Sequence, residues 1–330
     1  MQRWLFVLVL IVIAPLVAEV LSGSTPITQP GLLLVDLVIY GPGALLIREL
    51  VRRRHRGWAS ILLMGVAYGL VEEGLALQSL FDPTYATVAL WGARFFGVNW
   101  VYTSVVLTWI HPLWSVAIPI VLAEFLFPAQ RALPSLGRFG LVATSVWYIL
   151  GVVLLAFFAR TISSYSVPPL VSGVVIVIAL MLVVNALFLL PRQRPRTQRS
   201  DQFPKPFGIL LFSGMSAFLA LGIPALLWRP FPMLTQFPLV LVPLLAPPVI
   251  ALILIWRFVD WARSSSWNDR HLLALVSGML IAHSAVGALL FSKTVVERVA
   301  LAVMGLLMVI FLGWLWVQIR NRKVVLTTTS

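Results

Sequence analysis

Two adjacent acids, Glu72 and Glu73, stand inside the apolar run GWASILLMGVAYGLVEEGLALQSLF, and two histidines, His111 and His283, stand inside two other apolar runs. A carboxylate can take a proton from water and an imidazole can pass one on, so the four groups have the makings of a general acid–base centre. The same groups would serve a proton or cation relay, and their oxygen and nitrogen atoms suit Zn, Mn or Fe. Side by side in hydrocarbon, two like charges raise each other's cost, which makes the glutamate pair hard to explain as packing. A lone histidine says less, because an interhelical hydrogen bond explains it as well. Glu19, Asp36 and Glu124 fall at the ends of their runs, where water or a nearby arginine can satisfy them.

Helical periodicity places these groups. Gly65, Gly69, Glu72, Glu73 and Ala76 share one side of a 3.6-residue helix, so the acids lie on the small-residue face that lets another helix approach. Ser104, Thr108, His111 and Ser115 form a polar stripe, and Pro112 and Pro119 interrupt the hydrogen-bond ladder of the same helix. Gly287 lies one turn beyond His283 and leaves room beside its ring. At about 1.5 Å of rise per residue, the acids, His111 and His283 sit roughly 10, 16 and 12 Å from the outer ends of their helices.

The helices themselves follow from composition. The 330 residues are 60% hydrophobic and 11% charged, against about 25% charged in an average soluble chain. A soluble enzyme, a disordered scaffold, a fibrous protein and a free nucleic-acid binder are excluded, despite a net charge of +13. Ten apolar runs, near 4–21, 32–50, 58–79, 100–127, 139–160, 169–190, 207–228, 238–257, 271–291 and 298–319, predict an all-α, polytopic membrane helix bundle. With the N-terminus placed inside, 19 of the 24 Lys and Arg residues fall on the cytoplasmic side and 5 outside, which predicts both termini in the cytoplasm. The expected location is the cell membrane, multi-pass, with the lipid bilayer as the one certain partner. The basic, proline-bearing segment 191–206 is expected to be a cytoplasmic linker between a six-helix half, 1–190, and a four-helix half, 207–330. The N-terminal apolar stretch is expected to be a retained first helix rather than a secretory signal. Trp91, Trp100 and Trp228 read as interfacial anchors, and a transporter would have broken helices at Gly41-Pro42-Gly43 and Pro112.

Absences narrow the chemistry. There is no cysteine, no HExxH, no GxGD, no GxSG and no Walker A, and lysine occurs only at 205, 293 and 323, outside the spans. No motif requires a cofactor, and a divalent metal stays open.

GLVEEGL, followed in chain order by His111 and then His283, resembles the glutamate intramembrane protease family that includes the CAAX prenyl proteases and bacteriocin-immunity proteins. That family carries Glu-Glu-x-x-x-Arg, Phe-x-x-x-His and His-x-x-x-Asn or Asp on three helices. Leu77, Leu107 and Gly287 stand here where the Arg, the Phe and the Asn or Asp would be. The resemblance implies a hydrolase cutting a membrane-embedded peptide, with Glu72 as the base toward water, Glu73 beside it, His111 assisting and His283 donating to the oxyanion. APLVAEVLSGSTP, GPGALLIREL, EEGLALQSLFDP and HPLWSVAIPI also resemble a group of uncharacterised bacterial multi-pass membrane proteins. A transporter using the same four residues and a non-catalytic scaffold are the rival expectations.

Overall fold

The structure is a computed structural model that describes residues 2–85, 91–191, 204–227 and 231–328. Among these, ten helices are long and apolar enough to cross a membrane: α1 Gln2–Val20, α2 Pro30–Arg53, α3 Trp58–Ala76, α4 Trp100–Leu126, α5 Arg138–Ile162, α6 Pro169–Leu189, α7 Pro206–Ala225, α8 Leu241–Ala262, α9 Asp269–Phe291 and α10 Val295–Arg322. All ten coincide with apolar runs of the sequence. A two-stranded antiparallel hairpin, β1 Arg94–Phe95 and β2 Val98–Asn99, precedes α4. Of the predicted linker 191–206, residues 192–203 lie outside the described residues, as does Trp228.

Burial divides the helices into two layers. α3, α4 and α9 are mostly buried, whereas α5, α6, α8 and α10 expose most of their apolar side chains, as helices bordering lipid do. Close approach at the centre depends on missing side chains. A Cβ on Gly65 would sit 2.6 Å from the Pro112 Cα, and one on Gly69 would sit 2.7 Å from the His111 ring. The small-residue face of α3 therefore packs on α4 at the histidine itself, as its periodicity predicts. Trp109 and Trp114 of α4 are fully buried, and they join one apolar core with residues of α7, α8, α9 and α10. The core is continuous between the six-helix and four-helix parts.

Two sequence expectations need correction. α2 runs unbroken through Gly41-Pro42-Gly43: Gly41 packs on the Ile11 backbone and Gly43 on the Tyr68 ring, so the glycines serve contact rather than a break. Trp91 is buried edge-on against Tyr102 instead of anchoring at an interface. Trp100 is exposed at the start of α4, its indole N–H donating to the Phe95 carbonyl.

Helix ends that an alternating path assigns to one side do meet. Arg56, after α2, donates to the Leu187 carbonyl near the end of α6 at 3.1 Å, Arg131 pairs with Asp269 at 2.9 Å, and Arg322 donates to the Phe125 carbonyl at 3.0 Å. Behind these contacts lies a buried ionic network. Glu124 of α4 accepts from Arg48 at 3.1 Å and Arg52 at 2.9 Å, both on α2, and Arg48 also holds Glu49 and the Gln130 carbonyl. Glu124 thus pairs with arginine, as its place near an arginine-rich end suggests.

Six stretches of the helices wind more widely, with hydrogen bonds reaching five residues back: Leu16–Val20, Leu70–Ala76, Val106–Ala117, Asn185–Leu189, Ile223–Leu227 and Gly287–Phe291. Such turns concentrate at functional sites in proteins generally. In the fourth helix the cause is visible: Pro112 lacks an N–H and would strike the carbonyl four residues back, and a wider turn lets the helix continue past it.

Candidate active site

Each acid or imidazole at the site stands on a wide turn. Glu72 and Glu73 lie on Leu70–Ala76, closed by Leu77 N–H donating to the Glu72 carbonyl at 2.8 Å; His111 lies on Val106–Ala117, and Glu19 on Leu16–Val20. Neighbours on an ordinary helix diverge by about 100°. A wide turn narrows that angle, so both glutamates can face the same interior space.

There they meet His111. Its Nε2 is 3.1 Å from Glu73 Oε1, its Nδ1 is 3.5 Å from Glu72 Oε2, and Nδ1 also faces Ser115 Oγ at 3.2 Å. All three residues are buried, with Glu72 and His111 each 1% exposed. One ligand atom from each of Glu72, Glu73 and His111 lies within 4.8 Å of the other two, a spacing able to hold a metal ion. Among the described residues, no Lys or Arg bridges to either glutamate.

Hydroxyls hold the other side of each carboxylate. Tyr40 on α2 contacts Glu72 Oε1 and, at 2.7 Å, Glu19 Oε1. Glu73 Oε2 accepts from Tyr102 at 3.0 Å and from Ser79, whose segment folds back after α3. Of the buried polar atoms that make no hydrogen bond among the described residues, two belong to this cluster: Glu72 Oε2 and the Tyr68 hydroxyl, on a ring 5.6 Å from that of His111.

His283 is placed elsewhere. Its ring stacks on Trp114 with centroids 4.4 Å apart and an interplanar angle of 11°, and its Nε2 faces the Val17 carbonyl at 3.1 Å. A Cβ on Gly287 would strike the Ser22 carbonyl, so the space beside that glycine admits the end of α1 rather than a ligand of the imidazole. The structure therefore brings together three of the four residues singled out in the sequence, and directs the fourth to the α1 backbone. The polar stripe of α4 is also only partly used: Ser115 reaches His111, whereas Ser104 and Thr108 bond their own helix backbone.

Glu19 and the tyrosines were not apparent as partners of the acids. A signal existed: the chain has only six tyrosines, and Tyr68 stands four residues before Glu72 on the same face. Near the loop end of the site, burial alone would raise the Asp82 carboxyl, but hydrogen bonds from Ser163 and Thr84 outweigh it and hold the group below the usual carboxylate range.

Fold and site together define a multi-pass integral membrane helix bundle with a buried carboxylate–imidazole centre near one end of its inner helices. The chain belongs to the family described as an uncharacterized membrane protein family, whose pattern matches residues 8–223. That match contains Glu72, Glu73 and His111 and ends before α9. Over 118 residues the chain is 25% identical to a protein of Archaeoglobus fulgidus described as an uncharacterized protein, covering 35% of this chain and 36% of that one. The chain thus spans about a third of the length of the curated relative it matches. No solved structure matches it.

Proposed function

We propose that the protein is an intramembrane hydrolase in which Glu72, Glu73 and His111 activate a water against an amide carbonyl of a membrane-embedded peptide. The observation that carries this reading is the unpartnered, buried Oε2 of Glu72 beside His111 Nδ1 at 3.5 Å. Glu72 takes the proton as the water oxygen bonds to carbon, and passes it by way of His111 to the departing amine as the carbon–nitrogen bond breaks, which restores both groups. Tyr68, with a free O–H in the site, is the donor to the oxyanion. His283 acts as a positioning residue for the wide turn of α1, since its Nε2 already serves Val17. The resemblance of GLVEEGL to the CAAX protease family supports the same chemistry, though Leu77 replaces that family's arginine. The asymmetry of 19 against 5 basic residues supports cytoplasmic termini and a site opening toward the outer side. The test is cleavage of a fluorogenic transmembrane peptide in liposomes. Glu72→Gln and His111→Ala should each lower turnover about 10²–10⁴-fold; unchanged cleavage in either variant removes the proposal.

A second reading is a proton or cation relay, favoured by the bridge from Glu19 through Tyr40 to Glu72. It requires that Glu19→Gln abolish proton movement in proteoliposomes carrying a pH-sensitive dye.

A further inference from the structure

We infer that Glu72, Glu73 and His111 bind a single divalent transition-metal ion of the zinc or manganese class. The binding rests on charge and geometry; only a water-activating role for the ion rests on the hydrolase reading.

Charge is the first reason. Two carboxylates lie buried side by side in a membrane-spanning helix with no Lys or Arg bridging to either among the described residues. Unpaired buried charge is costly, and two other buried acids of the helices, Glu49 and Glu124, are paired with Arg48 and Arg52. One dication between two carboxylates and a neutral imidazole gives a neutral centre.

The arrangement of hydrogen bonds is the second reason. Metal-binding carboxylates and imidazoles are held from behind by further donors and acceptors, which fix their orientation. Tyr40 holds Glu72 by Oε1, Tyr102 and Ser79 hold Glu73 by Oε2, and Ser115 faces His111 Nδ1. The atoms these holders leave over are Glu72 Oε2, 3.5 Å from His111 Nδ1, and the pair Glu73 Oε1 and His111 Nε2, 3.1 Å apart. Of these, Glu72 Oε2 makes no hydrogen bond among the described residues. With bonds of about 2.0–2.2 Å, ligand atoms around one zinc sit roughly 3–4 Å apart, so small rotations close the 4.8 Å spread.

Three protein ligands leave a coordination position for water, as in catalytic rather than structural zinc sites. The unpartnered Tyr68 hydroxyl is the group on hand to hold that water. A dication at these residues would lower the pKa of its water and so assist the water activation that the hydrolase reading assigns to Glu72, Glu73 and His111.

Elemental analysis of the full chain, purified in detergent without a histidine tag, tests the inference together with titration of the metal-stripped protein with Zn²⁺ and Mn²⁺. About one ion per chain is expected, lost in Glu73→Gln and His111→Ala. Tyr40→Phe and Ser115→Ala keep all three ligands and should weaken binding about 10–100-fold, which keeps the test valid if a ligand variant fails to fold. Co²⁺ should give a visible absorption band that His111→Ala abolishes. No binding of either ion to the wild type, or wild-type stoichiometry in a folded Glu72→Gln/Glu73→Gln variant, overturns the inference. Peptide cleavage that persists once the ion is stripped overturns the ion's catalytic role and keeps the hydrolase. A stoichiometric ion without cleavage of the transmembrane peptide does the reverse.

Discussion

Tyr40 has one proton to donate and stands between two carboxylates. Only one of them can accept from it, so the second contact needs a proton on a carboxyl. With Glu19 as the protonated partner, Glu19 donates to Tyr40 and Tyr40 to Glu72, which leaves Glu72 ionised for chemistry. Tyr40→Phe deletes both contacts and leaves two acids facing an apolar ring. A loss of about 1–3 kcal/mol in unfolding free energy is expected, read from thermal unfolding in detergent; an unchanged midpoint would show that the bridge does not form. The glutamate pair and His111 were legible in the sequence because ionisable groups are conspicuous in apolar runs. Tyr40, Tyr68 and Tyr102 were not, because a tyrosine in a membrane helix is ordinary until its hydroxyl is seen against a carboxylate. His283 misled for a related reason. Its residue type was right for chemistry, but the Val17 carbonyl that occupies it lies 266 residues away in the chain.

At the scale of elements, glycines and wide turns set how closely α3 approaches α4. Gly65→Ala would push a methyl into the Pro112 backbone and Gly69→Ala into the His111 ring, whereas nothing lies within 4 Å of a Cβ on Gly173 of α6. Gly65→Ala should therefore cost about 1–3 kcal/mol by overpacking, and Gly173→Ala should be neutral or stabilising by up to about 1 kcal/mol. Differential scanning of the two variants decides it; equal effects would deny the close contact. The loop after α3 offers a pH test. Asp82 accepts from Thr84 Oγ1 at 2.7 Å and from Ser163 Oγ at 2.6 Å, joining the segments after α3 and α5. Its folded pKa is lowered, so its contribution to stability is complete above the unfolded value of about 3.9 and is lost as pH falls through the lower folded value. Asp82→Asn should be less stable than the wild type at neutral pH, with the difference shrinking toward about pH 3; parallel profiles would refute the linkage. Periodicity foretold the shared face of α3. It could not foretell the wide turns, since an extra residue per turn follows from packing against a neighbour and, around Pro112, from a missing N–H.

For the whole molecule, the buried network of Arg48, Arg52, Glu49 and Glu124 clamps α2 to α4 and to the segment after it, at the end of the bundle remote from the acids. Arg48→Met removes one partner from each of two buried carboxylates, Glu124 keeping Arg52, and should cost up to about 3–5 kcal/mol. Replacing Glu124 by Gln as well should recover part of the loss, a coupling that a double-mutant cycle measures and that strictly additive losses would exclude. The sequence alone determined the ten apolar helices and the all-α class, because hydrocarbon enforces long apolar runs and internally bonded helices whatever their neighbours. Tertiary structure decided which polar groups meet. Helices lie side by side according to the fit of small residues against bulky ones, and that fit put Glu72, Glu73 and His111 in one space while turning His283 toward the first helix.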